Sequence, residues 1–123
     1  MINFDQKTPI YQQLAEIIRA DILAGALKAD EAIPSVRQIS LEYGLNPQTV
    51  LNATQILIQE GLLEKRRGLG MFVRPDARKQ LYSKASDRIK NERIQALVDE
   101  ARILNISKEQ LIELIEKTYG EED

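Results

Sequence analysis

The stretch from Ser35 to Gly61 constrains this chain most, because it opens two helices in quick succession with only Gly44-Leu45-Asn46 between them. Ser35-Val36-Arg37-Gln38 reads as a capping box, with Gln38 three residues on reaching back to the cap. Val36, Ile39 and Tyr43 form an inward face, and Gly44 ends the helix. Asn46 then caps the next helix, Pro47 takes its first turn, where the missing N–H costs nothing, and Gly61 closes it. Two short helices joined this tightly predict a helix-turn-helix.

The flanks extend that unit. Thr8-Pro9 predicts a helix start, Ile10, Leu14, Ile17, Ile18 and Ile22 follow at helical spacing, and Gly25 fits the stop. Leu27 to Ile33 reads as a loop. After Gly61, Leu62, Leu63, Phe72 and Val73 flank a turn centred on Arg67-Gly68-Leu69-Gly70, which predicts a β-hairpin, a wing. Pro75-Asp76 breaks the chain, so residues 1–75 read as one domain and 76–123 as a helical tail. The tail is expected to hold a long helix from about Asp76 to Leu104. A second capping box, Ser107-Lys108-Glu109-Gln110, opens a last helix to about Tyr119. The expected fold is mainly α with a small β-hairpin wing: a winged helix-turn-helix followed by a two-helix C-terminal dimerisation tail.

Composition bounds the function. A chain of 123 residues has room for one compact domain and an appendage. It contains no cysteine and no histidine, which removes disulfides, thiolate metal sites and the usual general base near neutral pH. No catalytic residues, metal or cofactor are therefore expected. Met1 to Asp5 lacks a basic, apolar leader, and no apolar run approaches the ~18 residues that span a membrane, so a cytoplasmic location is expected. The net charge of −2 does not favour nucleic acid, but its distribution does so weakly. Ala32 to Arg74 holds five basic and three acidic residues, whereas Glu109 to Asp123 holds six acids and one lysine.

On the helix after Asn46, Val50, Ala53 and Leu57 cluster on one side with Thr54 beside them, while Gln48, Asn52, Gln55 and Gln59 fall opposite. Glutamine and asparagine amides pair bidentately with adenine N6 and N7, and this part of a helix-turn-helix reaches base edges in the major groove. Gln48 and Asn52 are candidate readers. Asn46 and Thr49 are candidates too, although capping alone explains both. Arg37 suits a phosphate or a guanine edge, and Ser35 is a cap whose hydroxyl or N–H could also touch a phosphate. In the run Lys65-Arg66-Arg67-Gly68, the residues Arg66, Arg67 and Gly68 suit a narrow minor groove, whose negative potential attracts arginine. A solvated hairpin tip is the plainer explanation for that run taken alone.

Pro9-Ile10-Tyr11-Gln12-Gln13-Leu14, Ile33-Pro34-Ser35-Val36-Arg37-Gln38, Asn46-Pro47-Gln48-Thr49-Val50, Glu60-Gly61-Leu62-Leu63 and Gly68-Leu69-Gly70-Met71-Phe72-Val73 together resemble the DNA-binding domain of GntR-family transcription regulators. Asn-Pro at the helix start and the short helical tail are similar to the YtrA-type subfamily. The resemblance implies a winged-helix homodimer on an inverted-repeat operator, usually repressing. By position it implies DNA contacts at Ser35, Arg37, Gln48, Thr49, Arg67 and Gly68. The chain departs from the wider pattern at Pro47, where many members have arginine, and at Leu51, where a basic residue is common. Asp30 and Ala32 also depart, at loop positions often filled by glycine and a basic residue.

The tail is too short to close a core of its own, since chains near ~40 residues seldom fold alone. It nevertheless repeats apolar residues at helical spacing: Leu81, Ala85 and Ile89, then Leu97, Ala101 and Leu104, then Leu111, Leu114 and Ile115. These are expected to pair with a second copy, over Arg78 to Tyr119, although packing back on the same chain stays open. A C2 dimer places two recognition helices about 34 Å apart, and a helix of about 28 residues, ~40 Å long, can set that separation. The expected partners are double-stranded DNA and the chain itself, with no membrane. A small-molecule effector stays open but unidentified, with no pocket signature. A second reading, of another class, is a winged-helix protein-protein interaction module without sequence-specific DNA binding. An enzyme ranks third, because no nucleophile-base pair or phosphate loop is visible.

Overall fold

The computed structural model describes residues 4–120. The chain divides into two compact units, Met1–Ser83 and Lys84–Asp123. In the first, α1 (Ile10–Ala24), α2 (Val36–Tyr43) and α3 (Pro47–Gln59) precede an antiparallel hairpin of β1 (Leu63–Arg66) and β2 (Gly70–Val73), and α4 (Ala77–Asp87) begins. Mainly α with a hairpin wing is the fold observed.

The helix signals act as expected in the helix-turn-helix. The Ser35 hydroxyl accepts from the Gln38 N–H at 3.1 Å, and the Gln38 amide oxygen accepts from the Ser35 N–H at 2.7 Å. Gly44 ends α2 at φ +66, a left-handed conformation that costs other residues about 1 kcal/mol. The turn is then tied by the Ser40 hydroxyl, which donates to the Leu45 carbonyl, and by the Leu45 N–H, which donates to the Ser40 carbonyl at 3.0 Å. The first helix starts differently from the expectation. Pro9, not Thr8, is the cap, and it makes no side-chain cap bond. The Gln13 amide holds the entry instead, donating to the Thr8 and Asp5 carbonyls and accepting from the Asp5 N–H.

Leu14, Ala15, Ile18 and Ile22 of α1 pack with Val50, Ala53 and Leu57 of α3 in one core, joined by Ile39, Leu63, Val73 and Ala77. Thr54, the one buried polar residue among the described residues, donates its hydroxyl to the Leu51 carbonyl at 3.0 Å. No buried side-chain nitrogen or oxygen among the described residues lacks a partner, as stable interiors require. At the surface Arg19 forks onto Glu60 at 2.9 and 2.8 Å and onto Glu16 at 2.8 Å, tying α1 to the end of α3. These bonds hold the Arg19 guanidinium above its usual pKa, the bond to Glu60 contributing most.

Two features of this unit correct the sequence reading. The segment read as a loop supplies a third edge to the hairpin. Ala32 bridges Phe72, and the Asp30 and Ile33 N–H groups donate to the Val73 and Met71 carbonyls at 2.8 and 2.9 Å. Two or three residues are too few to show a period-2 pattern, so nothing local announced it. The first unit also continues past Pro75. Ala77 is fully buried and Leu81 packs on the core, while Arg78 donates to the Leu23 carbonyl at 2.9 Å. Leu81 and Arg78, expected at a dimer contact, are thus engaged within their own chain.

In the second unit α4 runs into a π-helical turn, Arg88–Arg93, then α5 (Ile94–Ile103) and α6 (Lys108–Tyr119). The helical stretch has the expected extent, but the wider turn in it was not foreseen. Asn105 reverses the chain at φ +58, and the Ile106 N–H reaches back to the Ala101 carbonyl at 2.9 Å, an ending suited to asparagine. Ser107 and Gln110 form the second capping box as expected. Ala101, one of the expected dimer contacts, is the one buried apolar residue of this unit among the described residues. Ile89, Leu97, Leu104, Leu114 and Ile115 stay exposed, while Ala85 and Leu111 are half-buried.

Candidate nucleic-acid interface

The exposed side of α3 carries the amides the sequence placed there. Val50, Ala53 and Leu57 take the core, so Gln48, Asn52 and Gln55 turn outward by helical geometry alone. The Gln48 Nε2 donates to Asn52 Oδ1 at 3.0 Å, an i,i+4 pair one turn into the helix. That bond leaves the Gln48 carbonyl as a free acceptor and the Asn52 amino group as a free donor. The pair therefore presents both functions that an adenine edge demands.

The capping residues are committed to the backbone. Asn46 Oδ1 accepts from the Gln48 N–H at 2.8 Å, and the Ser35 hydroxyl is held in its capping box. Thr49 is half-buried, with its N–H on the Asn46 carbonyl at 3.0 Å. The side chains of Ser35 and Asn46 accordingly shape the ends of α2 and α3 before they serve any partner. Arg37 is exposed and forms no ion pair among the described residues.

The wing sorts its basic residues by strand parity. Leu63 pairs with Val73 and Lys65 with Met71 on one face of the hairpin, while Glu64, Arg66 and Phe72 share the other. Lys65 therefore lies across from α3, lining a cleft of about 570 Å³ with Gln48, Asn52 and Gln55. Arg66 faces away. Its guanidinium sits 4.1 Å from the centre of the Phe72 ring and pairs with Asp30 at 3.1 Å and Glu64 at 3.3 Å. Arg66, expected at the DNA surface, here meets partners of its own chain, stacking on Phe72 and pairing with the Asp30 segment. Arg67 and Gly68 occupy the exposed tip, where Gly68 takes φ +76 and the Leu69 N–H closes the turn on the Arg66 carbonyl at 2.9 Å.

Two residues of this surface escaped the sequence reading. Lys65 was visible only as part of a basic run; counting strand parity from the buried Leu63 would have set it apart from Arg66. Leu51 was noted as a departure but given no role, yet it is 46% exposed on the same wall as the amides. Among the described residues no cluster of carboxylates is arranged to hold a metal ion, and no helix is long and apolar enough to cross a membrane.

Comparison with known proteins matches this arrangement. Residues 10–73 match the family described as "Bacterial regulatory proteins, gntR family". Over 95% of its length the chain is 32% identical to the "HTH-type transcriptional repressor YtrA" of Bacillus subtilis (strain 168), covering 91% of that protein. It is similar to a solved "GntR family transcriptional regulator from Listeria monocytogenes", with a TM-score of 0.76 and 27% identity over 93% of this chain and 98% of that one. A second solved structure, "AraR(DBD) in complex with operator ORR3", is similar at a TM-score of 0.54 and 29% identity, over 59% of this chain and 88% of that one. Because the helix-turn-helix and wing match that family across more than half of the sequence, the chain belongs to the GntR family and is a DNA-binding transcriptional regulator rather than an enzyme.

Proposed function

We propose that this regulator binds an inverted-repeat operator as a homodimer and represses transcription, with α3 in the major groove and the wing at the minor groove. The observation that carries the reading is the cleft itself, where an uncharged amide pair and Lys65 face one space, with Arg67 and Gly68 at the nearby wing tip. Amides specify bases, whereas lysine and arginine hold phosphate, so one surface combines readout with anchoring. The likeness to a winged helix solved with its operator and to a named repressor supports the same assignment.

Dimerisation rests on the second unit. Leu97, Leu104, Leu114 and Ile115 stand 41 to 61% exposed, more apolar surface than two short helices leave to water without a partner. A symmetric pairing buries the same patch on both copies and repeats the recognition helix at one turn of DNA. In this reading residues 76–123 hold the dimer and residues 1–75 hold the DNA, with the start of α4 serving both. Location in the cytoplasm, beside the DNA, follows from the role.

The test is a salt titration of the full chain on DNA upstream of its own gene. Affinity should fall with a log-log slope of about −0.9 per phosphate neutralised. Gln48→Ala should relax preference at one adenine position, whereas Arg67→Ala should weaken all sites alike and reduce the slope by about one. Absence of any footprint at low salt would overturn the reading in favour of a protein-docking winged helix.

A further inference from the structure

Leu51 is an apolar side chain that the core of α3 does not include. The core needs Val50, Ala53, Thr54 and Leu57 from α3, and Leu51 is outside that set, 46% exposed between the two outward amide turns. It shares the cleft wall with Gln48, Asn52 and Gln55, so whatever meets those amides also meets its methyl groups. In the major groove one base carries an apolar mark, the C5-methyl of thymine, and side-chain methyls are its usual complement. An amide pair suited to adenine beside an isobutyl group suited to thymine forms a composite reader for adjacent A and T.

Resting on the operator reading above, we propose that Leu51 is a specificity-determining residue that contacts a thymine C5-methyl next to the adenine met by Gln48 and Asn52. The adjacency follows from the helix. Leu51 lies one residue before Asn52 and three after Gln48, which sets its side chain beside the pair on the same exposed surface. A cation here would add affinity for any phosphate, whereas leucine discriminates at one base and adds nothing electrostatic.

The experiment selects sites for the full chain from a random duplex library. Each thymine of the enriched half-site is then replaced, one at a time, by deoxyuridine, which lacks only that methyl. The expected result is one position at which deoxyuridine weakens wild-type binding about fourfold, the scale of a single buried methyl group. Leu51→Ala should bind that site more weakly and be indifferent to the replacement. Leu51→Met, which keeps an apolar tip, should restore part of the sensitivity. Thermal melting of both variants should stay near wild type, because the core does not use the residue. Enrichment without any deoxyuridine-sensitive position, or with equal sensitivity in Leu51→Ala, would overturn the proposal and leave the operator reading standing. Failure to enrich any sequence would overturn the operator reading itself.

Discussion

The two units of this chain solve the same problem, covering apolar side chains, in opposite ways. The first closes a core within one chain, with Leu14, Ile22, Val50, Leu57, Leu63 and Val73 at 2% exposure or less. The second buries Ala101 alone among its described apolar residues and leaves Leu97, Leu104, Leu114 and Ile115 in water. Three helices and a hairpin converge from several directions and enclose a volume. One long helical stretch and one short helix do not. The difference teaches that the first unit is closed by its own chain, while under the dimer proposal the stability of the second depends on concentration.

The sharpest way to break that contrast is to charge the second unit. Leu97→Asp with Ile115→Asp should weaken self-association roughly a thousandfold, since burying unpaired carboxylates costs about 4 kcal/mol or more. Sedimentation should then report a monomer whose first unit melts as before, and a double variant that still dimerises would break the assignment. Leu57→Ala should act on the other side, costing the first unit about 3 kcal/mol in urea unfolding through the cavity it leaves. Gly44→Ala should cost about 1 kcal/mol, because its φ of +66 is strained for alanine although the added Cβ meets nothing within 4 Å. Arg19→Ala should cost less than about 1 kcal/mol, as expected for a surface ion pair even with forked geometry.

The smallest effect concerns pH at the start of α4. The Gln80 amide, with help from Arg74, holds the Asp76 carboxyl below its ordinary value of 3.8. A carboxyl lowered on folding contributes fully above its unfolded pKa and loses that contribution as pH falls through the folded one. An NMR titration should therefore find the Asp76 midpoint below 3.8 in the native chain, and Gln80→Ala should move it upward.

Legibility followed range. The caps at Ser35, Asn46 and Ser107 were readable because a cap joins residues only two or three apart. The outward amides were readable because helix period fixes their direction once Val50 and Leu57 are known to be apolar. The pairing of Arg66 with Asp30 was not legible because Asp30 lies on a distant segment, and their nearness has no local signature. The Ala32 edge went unseen for the same reason, and so did the attachment of Ala77 and Leu81 to the first unit's core.

By itself, then, the sequence determined the helix-turn-helix, the wing and the chemistry of the exposed amide face, since each is announced by signals within one turn or one hairpin. Only the tertiary structure decided that the Asp30 segment meets Arg66 and which tail residues are taken by their own chain. Those outcomes depend on packing between segments distant in sequence, where the choice among partners is made by shape and enclosure rather than by spacing.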